Sequence, residues 1–282
     1  MKNLRWWQAL NPAIYLVSIL PGIGVWLLVQ PEGKAQVALL VATFAVVLAQ
    51  HAINLLNDVA DWKLGADVEK WDSWVRFHEQ NLNIATHHGW LSFIASGLLG
   101  LTTLVWIEKL WILIIALPLV GLGYLYNSGQ KQLSYSRSGE WVTAVCYGGV
   151  FGCLWLVSSQ KIGLNCVLGS IAFGSLAVAL LLSHQPYQIE TDSMVKKHTF
   201  AVRFGSKKTH QAVRILFFIF FVAWNISLFI TQSNPMLLFP SLILSCLAFC
   251  GSLYEVPHPK YLLCFASLPF MVMLAGCVGL EI

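Results

Sequence analysis

The sequence predicts an all-α, polytopic membrane protein, and three observations carry that prediction. Hydrophobic residues make up 57% of the chain and charged residues only 11%, with a mean hydropathy of +0.68, whereas about a quarter of a soluble domain is charged. The apolar residues are gathered into runs of about 20, the helix length that crosses a hydrocarbon core of about 30 Å. The polar connections between these runs are strongly unequal, so the charge falls mainly on one side. Backbone polar groups in lipid have to be satisfied within the segment, so the runs are expected to be helices.

Nine spans are expected, at about 10–30, 34–56, 89–107, 110–127, 141–159, 163–184, 212–231, 236–254 and 261–280. The stretch Met1 to Gln8 ahead of the first is short and polar-aromatic, and the apolar run after it has no small-residue cleavage site, so insertion is expected to rely on the span itself. The connections after spans 2, 4 and 6 are long and polar. With the N-terminus, Arg214 at the start of span 7 and Lys260 after span 8, they form a face carrying 14 of the 17 Lys and Arg residues, against Lys34, Lys109 and Lys161 on the other. By the positive-inside rule this face, with the N-terminus, is cytoplasmic and the C-terminus lies outside. A bacterial-type inner membrane is the expected location. The net charge of +4 reflects this asymmetry, and no nucleic-acid partner is expected. One transmembrane domain is expected over 1–282, with cap loops at about 58–88, 128–140 and 185–211. The seven cysteines show no paired spacing and read as small packing residues.

The chemistry concentrates at the ends of the even-numbered spans. Span 2 runs out through His51, Asn54, Asn57, Asp58 and Asp61, and intervals of three and four residues put His51, Asn54, Asp58 and Asp61 on one helical face. Gly65 permits a turn that folds Asp67 back toward Asp61. Carboxylates this close repel each other unless a cation lies between them, and oxygen ligands in a partly open site suit magnesium. The plain alternative is a polar helix end leaving the membrane. After span 6, His184, Gln188 and Asp192 repeat a four-residue interval, Pro186 is expected to kink the helix, and Lys196, Lys197, His198 and Arg203 follow. Lys197 and Arg203 read either as topological charges or as diphosphate ligands, and Lys207 and Lys208 as topological charges.

The loop after span 4 contains Tyr124, Tyr126, Lys131, Tyr135 and Arg137, and its tyrosines read equally as interface anchors and as site wall. Between Val68 and Asn81 the apolar residues recur at helical spacing, predicting an interfacial helix that serves either as a lid over the acidic patch or as a plain connector. His87 and His88 read as interface residues.

The string NLLNDVADWKLGAD resembles the first aspartate-rich signature of the UbiA superfamily of intramembrane prenyltransferases, with Asn57, Asp58, Asp61 and Asp67 on the motif positions. QIETD followed by VKKHTFAVRFG resembles the second, with Asp192 on its last aspartate and Thr199, Ala201, Val202, Arg203 and Gly205 in its tail. GYLYNSGQKQLSYSRSGE is similar to the corresponding loop of the 1,4-dihydroxy-2-naphthoate polyprenyltransferase branch. Gln188 stands where the second motif usually has aspartate, Tyr187 where it has arginine and Lys196 where it has glycine. Asn11-Pro12 and EKWDSWVRFHEQ also depart from the pattern.

The resemblance implies helices around a central cavity and a magnesium-dependent transfer of a prenyl group from an isoprenoid diphosphate to an aromatic acceptor such as 1,4-dihydroxy-2-naphthoate. It implies metal ligation by Asn57, Asp58, Asp61, Asp67, Glu190 and Asp192, with Glu190 offsetting the loss of an aspartate at Gln188. Asn54, Lys63, Gln188, Lys131, Lys197 and Arg203 are the implied diphosphate contacts. Asp58, Asp61 and Asp192 are the implied catalytic carboxylates, and Tyr124 and Tyr126 would steady an allylic cation through their ring faces. A membrane terpene cyclase or a transferase with another acceptor would share the ionisation step. An ion-coupled transporter would instead be expected to show internal repeats and mid-membrane carboxylates, and neither is evident in the sequence.

Overall fold

The computed structural model describes residues 5–65, 70, 72–127, 132–159, 161–231, 235–254 and 258–280. Among these residues there is no strand, and twelve α-helices follow one another: α1 (Trp6–Leu10), α2 (Leu16–Val29), α3 (Gly33–Leu64), α4 (Trp74–Phe77), α5 (Leu82–Trp106), α6 (Leu113–Asn127), α7 (Gly139–Ser158), α8 (Leu164–His184), α9 (Ile189–Met194), α10 (Phe200–Thr231), α11 (Pro235–Tyr254) and α12 (Pro259–Leu280). Six segments are long and apolar enough to cross a membrane: Trp6–Val29, Gly33–Leu64, Leu82–Trp106, Gly139–Ser158, Leu164–Met194 and Phe200–Thr231. Three shorter apolar helices, Leu110–Tyr126, Leu238–Leu253 and Tyr261–Cys277, fall on the other predicted spans. On α5 the residues Leu91, Ile94, Leu98, Leu101 and Val105 are all exposed. Their spacing makes one continuous apolar stripe, which only lipid can solvate. The chain is an integral membrane protein.

Apolar side chains gain little by leaving lipid for a helix interface, so close packing and interhelical hydrogen bonds have to hold the bundle. At the α7–α8 crossing, a Cβ on Gly148 would lie 2.8 Å from the Ser170 carbonyl oxygen, and one on Gly174 would lie 2.8 Å from that of Ala144. These reciprocal glycines let the two backbones touch. Alongside them α8 packs on α10, and α2 sits among α3, α7, α8 and α12. Phe151, Phe173, Phe217, Phe220, Trp224 and Phe270 form the fully buried aromatic centre, with the Trp224 and Phe270 rings 4.3 Å apart. Asn165 donates to the Thr231 hydroxyl (2.7 Å) and Asn225 to that of Ser245 (3.0 Å), tying α10 to α8 and α11.

Three helices differ from the predicted spans in ways that matter for the site. α3 continues eight residues beyond the predicted end at 56, so Asp58 and Asp61 stand on a regular helix. α10 begins at Phe200, not near 212, and is interrupted at Gly205 (φ 80°, ψ 165°), a conformation natural to glycine. The expected interfacial helix over 68–81 is a single turn, α4, whose Trp74 and Val75 are buried against protein; Val68 and Trp71 lie outside the described residues. Hydropathy marks the lipid-facing part of a helix and is silent on its polar extension, which accounts for the first two differences. The packing role expected for the cysteines holds for Cys166, which is buried, whereas Cys246, Cys250 and Cys264 are exposed.

Candidate functional site

A cavity of about 880 Å³ opens within the bundle. Its deeper wall is apolar, including Val46, Leu104, Leu113, Val150 and Leu154, and one end is polar, where Asn54, Asn57, Asp58, Asp61, Tyr126, Gln188 and Lys197 line it. A side pocket of about 70 Å³ adjoins that end and shares Asn57, Tyr126, His184, Gln188 and Lys197 while adding Asp192, Glu140 and Thr199.

The first acidic segment supplies two buried carboxylates from consecutive turns of α3. Asp58 is 6% exposed and Asp61 2%. Burial at this level requires partners for the charge, and each carboxylate has them. Asp58 accepts from the Trp74 backbone N–H (3.0 Å) and from the Lys70 ammonium (2.7 Å). Asp61 accepts from the Asn57 side-chain amide (2.9 Å) and the Tyr135 hydroxyl (2.8 Å). The single turn of α4 is therefore fixed over the acidic patch by its first backbone N–H. The loop before α7 is fixed by Tyr135.

The second segment is built from short pieces. Pro186 ends α8 in a 3-10 turn (Gln185–Gln188), as the expected kink requires, and α9 follows. Asp192 is 3% exposed and accepts from the Thr199 hydroxyl (3.3 Å). The backbone then returns on itself, Lys197 N–H donating to the Asp192 carbonyl (2.8 Å) and His198 N–H to that of Tyr135 (3.0 Å). This return carries the Lys197 ammonium to 3.6 Å from Asp61 and 3.8 Å from Asp192, and to 5.0 Å from the centre of the Tyr135 ring. Two carboxylates from distant parts of the chain thus share one cation at the polar end of the cavity.

The remaining expected site residues divide clearly. Asn54, Asn57, Gln188 and Tyr126 line the cavity. Tyr124 does not line it; it is exposed beside Trp90, ring centres 5.9 Å apart, in the manner of an interface anchor. Glu190 and Lys63 are exposed and line neither cavity. Arg203 pairs with Glu140 (3.4 Å), which also accepts from the Phe200 backbone N–H (2.8 Å), so this pair braces the start of α10. Asp67 and Lys131 lie outside the described residues. Among the described residues no group of three or more His, Cys, Asp and Glu side chains gathers as a ready metal site.

The donor chemistry nonetheless fits a hard divalent cation. Three buried carboxylates and the side-chain amides of Asn54, Asn57 and Gln188 offer only oxygen acceptors, and ammonium groups already rest on Asp58 and between Asp61 and Asp192. Sequence reasoning missed Lys70, Tyr135 and Thr199 as direct partners of the carboxylates. Their separation along the chain gives no periodic signal, although Tyr135 and Thr199 fall inside motif-bearing stretches. It also missed the joining of His51 to His88 (3.3 Å) and of His88 to His78 (3.1 Å).

Comparison with known proteins is consistent throughout the chain. The 2-carboxy-1,4-naphthoquinone phytyltransferase of Synechocystis is 29% identical over 222 residues, 74% of this chain and 69% of that protein. The 1,4-dihydroxy-2-naphthoate octaprenyltransferase of Bacillus subtilis is 29% identical over 241 residues, 83% and 76% of the two chains. That of Haemophilus influenzae is 30% identical over 226 residues, 73% and 71%. The fold is shared with a UbiA homolog from Archaeoglobus fulgidus bound to GPP and Mg2+ (TM-score 0.65, 16% identity, 98% and 99% covered) and with an apo UbiA homolog from Aeropyrum pernix (TM-score 0.70, 14% identity, 96% and 98% covered). The profile of the UbiA prenyltransferase family matches residues 15–275, and the chain belongs to that family.

Proposed function

We propose that this protein transfers a prenyl group from an isoprenoid diphosphate to an aromatic acceptor, 1,4-dihydroxy-2-naphthoate or a closely related quinone precursor. The observation that carries this reading is the convergence of Asp61 and Asp192 on Lys197 at the polar end of a long apolar cavity. One end suits a diphosphate and the other an isoprenoid tail. The names of the naphthoate-specific relatives support the choice of acceptor.

In this reading Asn57, Asp58, Asp61 and Asp192 would hold magnesium, and the motif implies that Asp67 would join them. When bound, magnesium supplies the positive charge that stabilises a departing diphosphate. Lys197 adds a fixed ammonium beside the leaving group, and Asn54 and Gln188 offer amide donors from the cavity wall. Tyr135 and Thr199 orient the carboxylates. The allylic C–O bond breaks with its electron pair going to diphosphate, and the acceptor's ring carbon then forms the new C–C bond. Tyr126 is placed to face the allylic cation. The apolar wall excludes water, which would otherwise capture that cation. Arg203, which lines neither cavity and is paired with Glu140, serves here to hold the α10 start. The Lys- and Arg-rich face, with the N-terminus, is cytoplasmic.

The test is to incubate purified protein with magnesium, prenyl diphosphates of graded length and a panel of phenolic and naphthoic acceptors. Prenylated naphthoate is the expected product, lost in Asp61→Ala and Asp192→Ala. Cyclic hydrocarbon formed without any acceptor would replace the transferase reading with a cyclase.

A further inference from the structure

Four polar side chains outside the acidic site form one unbroken hydrogen-bonded line. Tyr15, 7% exposed and lining the cavity, meets His51 Nδ1 at 2.7 Å. His51 Nε2 meets His88 Nε2 at 3.3 Å, and His88 Nδ1 meets His78 Nε2 at 3.1 Å. The line starts in the 3-10 turn Pro12–Tyr15, crosses α3 and α5, and ends just past α4 in the connection between α4 and α5. Trp74 packs edge-on against both His51 (5.0 Å) and His88 (5.2 Å), and its backbone N–H is the one held by Asp58.

The pairing of nitrogens allows two consistent sets of neutral tautomers, one running outward from Tyr15 and one running back toward it. If Tyr15 donates to His51 Nδ1, His51 carries its proton on Nε2 and donates to His88 Nε2. His88 then carries its proton on Nδ1 and donates to His78 Nε2, leaving the His78 Nδ1–H pointing onward. Each of the two inner rings accepts on one nitrogen and donates on the other, which is the condition for passing a proton along a chain of hydrogen bonds.

We propose that Tyr15, His51, His88 and His78 form a proton-transfer chain that connects an aromatic acceptor bound in the cavity to the loop surface. The proposal rests on the prenyl-transfer reading. The acceptor O–H bond breaks, its electrons stay on the acceptor, and Tyr15 takes the proton as its own moves to His51. Protons shift in turn to His88 and His78, and one leaves His78 Nδ1 to water. The acceptor's electron-rich ring carbon attacks the prenyl cation. Where that carbon bears hydrogen, this hydrogen leaves as a proton while a proton returns to the acceptor oxygen, which restores the aromatic phenol, and one proton is released per turnover in total. Where it bears a carboxylate, carbon dioxide departs, its bonding electrons return to the ring, and the chain gives back the borrowed proton.

The experiment measures diphosphate release and prenylated product in the same reaction, for wild type and for His51→Gln, His88→Gln and His78→Gln. Glutamine keeps a hydrogen bond but cannot exchange protons in this way. Product is expected to fall about 100-fold more than diphosphate release in the His51 and His88 variants, and imidazole added to His88→Ala to restore product about tenfold. His78→Gln, at the outer end, keeps the test available if an inner variant fails to fold. Parallel loss of both readouts, or product formation unchanged in all three variants, would overturn the chain. Wild-type protein that releases diphosphate from no prenyl donor would remove the donor reading itself, and this proposal with it.

Discussion

The two acidic segments perform one task with different architecture. The first lies on a continuous 32-residue helix, where regular geometry presents Asp58 and Asp61 on consecutive turns, each with two hydrogen-bonded donors, of which only Asn57 belongs to the same helix. The second is a 3-10 turn, a six-residue helix and a returning strand of backbone, and it presents a single buried carboxylate. Gln188 faces the cavity where a second carboxylate is expected, while Glu190 is exposed and lines neither cavity. Gln185 is spent on structure, accepting from the Ala201 backbone N–H (3.2 Å). Positive charge reaches the two segments differently as well. Lys70 serves Asp58 of the first segment, whereas Lys197 is shared by Asp61 and Asp192 and so couples the two halves.

The difference can be broken at several points. Asp61→Asn is expected to have the largest effect, about a thousandfold loss of prenyl transfer, because this carboxylate is the one that meets both Tyr135 and Lys197. Asp192→Asn should cost about a hundredfold, and steady-state rates at saturating magnesium would read both. Tyr135→Phe removes one donor from Asp61 and leaves the other, for an expected loss of about tenfold. Glu190→Gln is expected to change the rate by less than about twofold. A loss as large as that of Asp192→Asn would mean that α9 turns to bring Glu190 inward when substrate binds.

A smaller, pH-dependent effect separates the histidine line from the acidic site. Burial lowers the His78 pKa below its ordinary 6.5. The unfolded chain then binds the proton more readily than the folded one, so stability is full above 6.5 and falls as pH drops from there toward the lowered value. Thermal unfolding across that window should show a decline that His78→Gln reduces. An unchanged decline would place its cause at another group.

Much of this was legible in the sequence, and the limits have physical causes. Runs of about 20 apolar residues locate the helices because lipid demands them. The α3 stripe is readable because a helix turns intervals of three and four into a face. The second segment was readable only in part. A 3-10 turn and a short helix do not preserve one periodicity, so the four-residue spacing of His184, Gln188 and Asp192 gave no sign that Glu190 points away. Lys70, Tyr135 and the partners of His51 come from other elements, and a single sequence carries no signal for such meetings. Tyr124 and Tyr126, two residues apart, lie on different sides of α6; one is an anchor and the other a cavity wall.

The central claim is that the two unequal segments act as one diphosphate site. It is tested most directly by a double-mutant cycle on the binding of a non-cleavable prenyl thiodiphosphate in the presence of magnesium. Asp61→Asn and Asp192→Asn are each expected to weaken binding at least about tenfold, and the double variant little more than either alone, because each single change already disables the shared site. Losses that simply multiply, or a single variant that binds like wild type, would show two independent regions and contradict the account.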